Sequence, residues 1–183
     1  MPSVARRLFV FFVLLGTLCA GCTTYAEEAS EYQIKGAFLF KFASFVEWPA
    51  NAFADEKAPL VIGILGDDPF GRDFDERISG HAIGGRAVTV RRYRNVADAA
   101  KAQILFISSS ERERLPAILD ALKDSKALTV GDGEMFTRRG GMVGFIMSGA
   151  SVRFCINNDA AKRAGLKVSA ELLRLAKIVS GGE

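Results

Sequence analysis

Two short runs constrain what this chain can fold into. Leu60–Leu65 (LVIGIL) and Gln103–Ile107 (QILFI) are apolar at nearly every position. A strand with one wet face alternates between apolar and polar residues. A strand that does not alternate is buried on both faces, as in the middle of a parallel sheet. Parallel neighbours cannot be joined by a tight turn and need a crossover, usually helical. The sequence between the runs supplies one. After the first run, Asp68 is a candidate N-cap and Pro69 stands at the first helical position, for a helix to about Ser79. Ala87–Tyr93 then reads as a second strand and Val96–Lys101 as a short helical turn.

The same pattern repeats after the second run. Ser110 and Glu113 have capping-box spacing for a helix to about Ser125. Pro116 disturbs that helix, so its first turn is expected to stand apart. Ala127–Val130 is a fourth strand. Met142–Met147 and Val152–Ile156, joined by four residues including Gly149, read as a β-hairpin. Asn157–Asp159 caps a last helical region, which Gly165–Val168 interrupts before Ser169. Ahead of all this, Tyr32–Trp48 is dense in aromatics, and Ile34, Phe38, Phe42 and Phe45 recur at helical spacing. Phe40 lies off that stripe, so the helix should be largely buried, ending at Pro49. The expected fold is α/β: a three-layer sandwich with a mostly parallel five- or six-stranded sheet and an antiparallel C-terminal hairpin.

The N-terminus reads as an export signal. Arg6 and Arg7 precede the uncharged run 8–18, and small residues follow at Ala20, Gly21, Thr24 and Ala26. That run is about half of the roughly 20 residues a membrane span needs. Residues 1–26 are therefore expected to be removed as a signal peptide, leaving 27–183 as a single domain. An alternative cut before Cys22 would make that residue a lipidation site, because Cys19-Ala20-Gly21-Cys22 resembles a lipoprotein box. We expect a periplasmic protein, free rather than lipid-anchored.

Export changes what the rest of the sequence implies. Lys plus Arg number 24 against 21 acids, and Arg6 and Arg7 leave with the signal. The mature domain is then close to neutral, which gives no electrostatic case for nucleic-acid binding. Cys155 loses both possible partners, so no internal disulfide is expected; its place in an apolar alternation suggests a small half-buried side chain. The mature domain keeps no C-x-x-C, because Cys19 leaves with the signal, and His81 is the one histidine, so neither a metal site nor a cofactor is expected. Phosphate-binding glycine motifs and a G-x-S-x-G elbow are absent. Catalysis has no visible equipment, and binding is the expected activity.

Ligands in open α/β sheets bind beyond the carboxyl ends of the strands. Three turns leave those ends: 66–71, 108–111 and 131–134. The candidate ligand- or partner-binding residues there are Asp67, Asp68, Phe70, Ser108, Ser109, Glu111, Asp132 and Phe136. A periplasmic small-ligand binding protein using these loops is one reading.

A family resemblance gives the other. Lys35–Pro49 (KGAFLFKFASFVEWP), Leu65–Gly71 (LGDDPFG), Ile104–Glu111 (ILFISSSE), Leu128–Phe136 (LTVGDGEMF) with Gly140-Gly141, and Phe154–Leu175 occur in that order. Together they resemble the YfiR family of periplasmic proteins. The resemblance implies a non-catalytic regulator that inhibits the periplasmic sensor region of an inner-membrane diguanylate cyclase or sensor kinase. It would thereby lower cyclic-di-GMP signalling and biofilm formation. It also implies an outer-membrane lipoprotein as a sequestering partner, and a second copy of the chain is a further candidate partner. Family members that rely on disulfides differ from this sequence, whose Cys155 has no internal partner; a bridge between molecules is the remaining use of that thiol.

Overall fold

The computed structural model describes residues 20–180, with side chains from Glu31 onward. The basic end and apolar run of the expected signal lie outside the described residues, as does the Cys22 side chain. The first described element is α1 (Ala20–Phe45), followed by β1 (Val46–Glu47). The LVIGIL run forms β2 (Leu60–Leu65), and α2 (Gly71–Ile78) crosses back to β3 (Ala82–Ile83) and β4 (Arg86–Tyr93). Then come α3 (Val96–Ala99), β5 (Ile104–Ile107), α4 (Leu115–Ala121), β6 (Leu128–Asp132) and α5 (Glu134–Arg138). The hairpin is β7 (Val143–Ser148) and β8 (Ser151–Ile156). The chain closes with α6 (Asn158–Arg163), β9 (Lys167–Val168), α7 (Ala170–Leu175) and β10 (Lys177–Ile178).

The main sheet has the order β10-β8-β7-β6-β5-β2-β4-β3. The neighbouring pairs from β4 through β7 are parallel, whereas β7–β8 and β3–β4 are antiparallel. Among the described residues this sheet has eight strands, more than the five or six expected. The two edge strands β3 and β10 have two residues each, too short to leave a periodic signal in the sequence. A second small sheet pairs Val46 with Val168 and Glu47 with Lys167.

Alternating side chains divide the core in two. Ile62, Ile64, Ile104 and Phe106 face one side, where α1, α2, α6 and α7 pack. Leu65, Leu105 and Ile107 face the other, against α3, α4 and α5. Helices thus cover both faces of a mostly parallel sheet, which is the α/β three-layer class expected.

Several local features differ from the sequence reading. The first helix stops at Phe45 rather than at Pro49, because Val46 and Glu47 turn into the β9 ladder. Its buried line is Lys35, Leu39, Phe42 and Ala43, while Ile34 is 41% exposed. The Ser110–Glu113 capping box does not form. Ser108 instead caps a separate 3-10 turn at Ser109–Glu111, and α4 begins only at Leu115 with Pro116 in its first turn. The hairpin connection is two residues, since Ser148 pairs with Ser151; Gly149 takes φ +61° there. Cys155 is wholly rather than half buried, between the Thr137 hydroxyl and the Gly144 carbonyl, each at 3.3 Å. A bridge to a second molecule through this thiol is therefore closed to the folded chain.

Candidate functional site at the carboxyl edge of the sheet

The turns after β2 and β5 touch. At Gly66 the backbone adopts φ +90°, the left-handed region that glycine enters without steric cost. A Cβ there would strike Ser110 Oγ. The turn lets the Asp67 N–H donate to Ser110 Oγ at 3.0 Å. Ser108 lies beneath and is buried, Ser109 is exposed, and half-buried Glu111 faces Arg114 at 3.1 Å.

Asp68 is taken up by two tasks. Its Oδ1 accepts from the Phe70 N–H at 2.8 Å and the Gly71 N–H at 3.3 Å, which braces the turn before α2. The N-cap itself is Phe70, so Asp68 and Pro69 stand ahead of the helix rather than at the N-cap and first helical position expected from the sequence. Its Oδ2 accepts from Arg92 Nε and Nη2, at 2.9 and 2.8 Å. The same guanidinium donates to both Asp75 oxygens at 2.5 Å. Paired N–H···O bonds of this fork geometry are among the stronger polar contacts. The Arg92 hydrogen bonds hold the Asp75 carboxyl below its ordinary value. In turn, donating to Asp75 holds Arg92 more firmly in its charged form.

At the end of β6, Asp132 meets α1. Lys35 Nζ lies 2.6 Å from Asp132 Oδ1 and 2.5 Å from Glu31 Oε1. The Tyr32 hydroxyl donates to Asp132 Oδ2 at 3.1 Å, and Lys35 Nζ stands 4.3 Å from the Tyr32 ring centroid. Lys35 is only 4% exposed, so this cation is desolvated and held by two carboxylates. Phe70 joins the two halves of the edge, packing edge-on against Tyr32 at 5.6 Å and Phe106 at 4.9 Å.

Of the residues the sequence singles out, Asp67, Asp68, Ser108, Ser109 and Glu111 lie on the touching β2 and β5 turns. Asp132 sits apart under α1, linked through Tyr32 and Phe70. Phe136 is 4% exposed in the second core, wedged between Gly131 and Gly141, where added methyl groups would overlap its ring. Sequence reasoning missed Lys35, Tyr32, Arg92 and Asp75. The one available signal was a lysine on an otherwise aromatic helix.

The edge carboxylates Asp68 and Asp132 are thus neutralised inside the molecule. His81 is exposed, and its ring packs edge-on against Phe40 at 5.4 Å. Among the described residues no hydrogen bond joins it to a serine. Nor do three or more His, Cys, Asp or Glu side chains gather to hold a metal ion among the described residues.

A family model described as YfiR/HmsC-like matches residues 32–177. The chain belongs to this family. The matched stretch starts at Tyr32 and takes in Lys35, Asp68, Arg92 and Asp132, so the YfiR/HmsC-like domain contains the whole carboxyl edge. A comparison with curated proteins gives no match. Two solved structures are similar at low identity. One is a conserved domain protein from Vibrio cholerae O1 biovar El Tor strain N16961, 13% identical with a TM-score of 0.47. The other is an ABC domain in complex with L-Trp from Streptococcus pneumoniae, 12% identical with a TM-score of 0.49. Each alignment covers 65% of this chain and 54% of the other, so the chain spans about half the length of these proteins.

Proposed function

We propose that this protein is a periplasmic regulator that binds the periplasmic sensor region of an inner-membrane diguanylate cyclase, or a related sensor kinase, and inhibits it. Membership of the YfiR/HmsC-like family carries the reading. The internally paired state of Asp68 and Asp132 supports binding over catalysis. Their oxygens already accept hydrogen bonds from Lys35 and Tyr32 or from Arg92 and the Phe70 N–H, which leaves little of either carboxylate free to engage a substrate. No helix among the described residues is long and apolar enough to cross a membrane, so the reading assigns the membrane span to the partner.

Inhibition of a cyclase makes a direct prediction. Deleting the gene should raise cellular cyclic-di-GMP and surface attachment, and expression from a plasmid should restore both. Crosslinking in intact cells should recover a membrane protein with a cyclase or kinase output domain. An unchanged cyclic-di-GMP level together with no such partner would overturn the proposal.

A further inference from the structure

The largely apolar cleft between α1 and α2 lies beside the carboxyl edge and shares Tyr32 and Phe70 with it. Its volume is about 330 Å³. That is the small end of the range for ligand-holding clefts, about 300–1,000 Å³. Phe40, Phe70 and Phe74 form its walls, and Gly36 and Ala37 its α1 side. Gly36 is a close-approach glycine: a Cβ there would come within 2.9 Å of the Phe74 ring. A larger residue would push the two helices apart or fill the space between them.

Besides Tyr32, four ionisable side chains line the same cleft: Lys41, Asp73, Arg77 and His81. All four are exposed. Among the described residues, the Lys41 and Arg77 side chains have no hydrogen-bond or ion-pair partner. Lys41 and Arg77 against Asp73 leave one positive charge in excess. A ring-walled cleft favours a planar apolar body through edge and face contacts. A guanidinium presents a fork that matches a carboxylate. One excess charge and room for a single ring suit a monoanion.

We infer that the α1–α2 cleft binds a small aromatic monocarboxylate, its ring against Phe40, Phe70 and Phe74 and its carboxylate at Lys41 and Arg77. This site does not depend on the membrane partner and goes beyond the regulatory reading. The probe is 3-phenylpropanoate, with 3-phenylpropanamide as the uncharged control. Each is titrated into protein produced from the full chain and followed by calorimetry. Saturable one-site binding is expected, with the acid about tenfold tighter than the amide, which corresponds to about 1.4 kcal/mol. The double change Lys41→Ala and Arg77→Ala should bring the acid down to the amide's affinity and leave the amide unchanged. Ala37→Trp should block both ligands, and its circular dichroism and thermal melt report whether it still folds. Absence of saturable binding at millimolar probe, equal affinity for acid and amide, or an acid preference that survives the double change would each overturn the inference. Cyclic-di-GMP levels do not enter this assay, so its failure is distinct from failure of the regulatory proposal.

Discussion

Changing Lys35 to Met tests whether the buried ion cluster locks α1 onto the sheet. Methionine retains most of the stem's volume and removes the charge. Lys35 is 4% exposed, whereas the carboxylates of Asp132 and Glu31 are about a quarter exposed, at 26% and 25%. At an effective dielectric near 20, one ion pair is worth about 4 kcal/mol gross at 4 Å. Burying the ammonium costs several kcal/mol, so the intact cluster is close to balanced. Removing one partner of a fully buried pair costs about 3–5 kcal/mol. Here the acids regain some water, so we expect about 2–3 kcal/mol for Lys35→Met. With a urea dependence of about 2 kcal/mol/M, the unfolding midpoint should fall by roughly 1–1.5 M. A double-mutant cycle with Asp132→Asn should give a coupling of about 1–2 kcal/mol, since the two groups touch directly. A midpoint within about 0.2 M of the unaltered protein, or a coupling near zero, would refute the lock.

Two further predictions concern the fold around the candidate site. Arg92 depresses the Asp75 carboxyl, so the folded value lies below the unfolded one, about 3.9. The stabilisation from this pair is present above the unfolded value and is lost as pH falls through the lower folded value. Arg92→Gln should therefore lower stability at pH 7 and flatten the loss of stability below pH 4, as read from urea midpoints across pH; an unchanged acid limb would refute the assignment. Gly141→Ala should destabilise by about 1–3 kcal/mol, the usual range for overpacking, because its methyl overlaps the Phe136 ring. Pairing it with Phe136→Leu should recover part of that loss in a thermal melt, and no recovery would show that the strain lies elsewhere.

The layers were legible because LVIGIL and ILFI carry buried-strand patterns that survive any local context. The separate turn before α4 was legible for a similar reason, since Pro116 resets a helix start whatever surrounds it. Lys35 was not. In a helix carrying aromatics on several sides the 3.6-residue period is blurred, so the line through Ile34 and Phe38 competes with the true one through Lys35 and Leu39. The partner that explains a buried lysine, Asp132, lies 97 positions away, and no local rule reaches that far. Phe136 posed the opposite problem. One aromatic in a five-residue helix has no period, so its place at a strand end suggested the surface, whereas the glycines at 131 and 141 form a slot for its ring.

The cluster at Lys35 also bears on the order in which the chain can assemble. Chains emerge from the N-terminus, and α1 comes first. Its lysine waits for Asp132, and Phe38 and Phe42 pack against rings at Phe145 and Phe154, which emerge later still. Contacts this distant in sequence close slowly, because the loop between them must be ordered first. The leading helix thus has no home until most of the domain exists. Under the proposed periplasmic reading that delay is an asset, because α1 cannot pack before the rest of the domain has crossed the membrane.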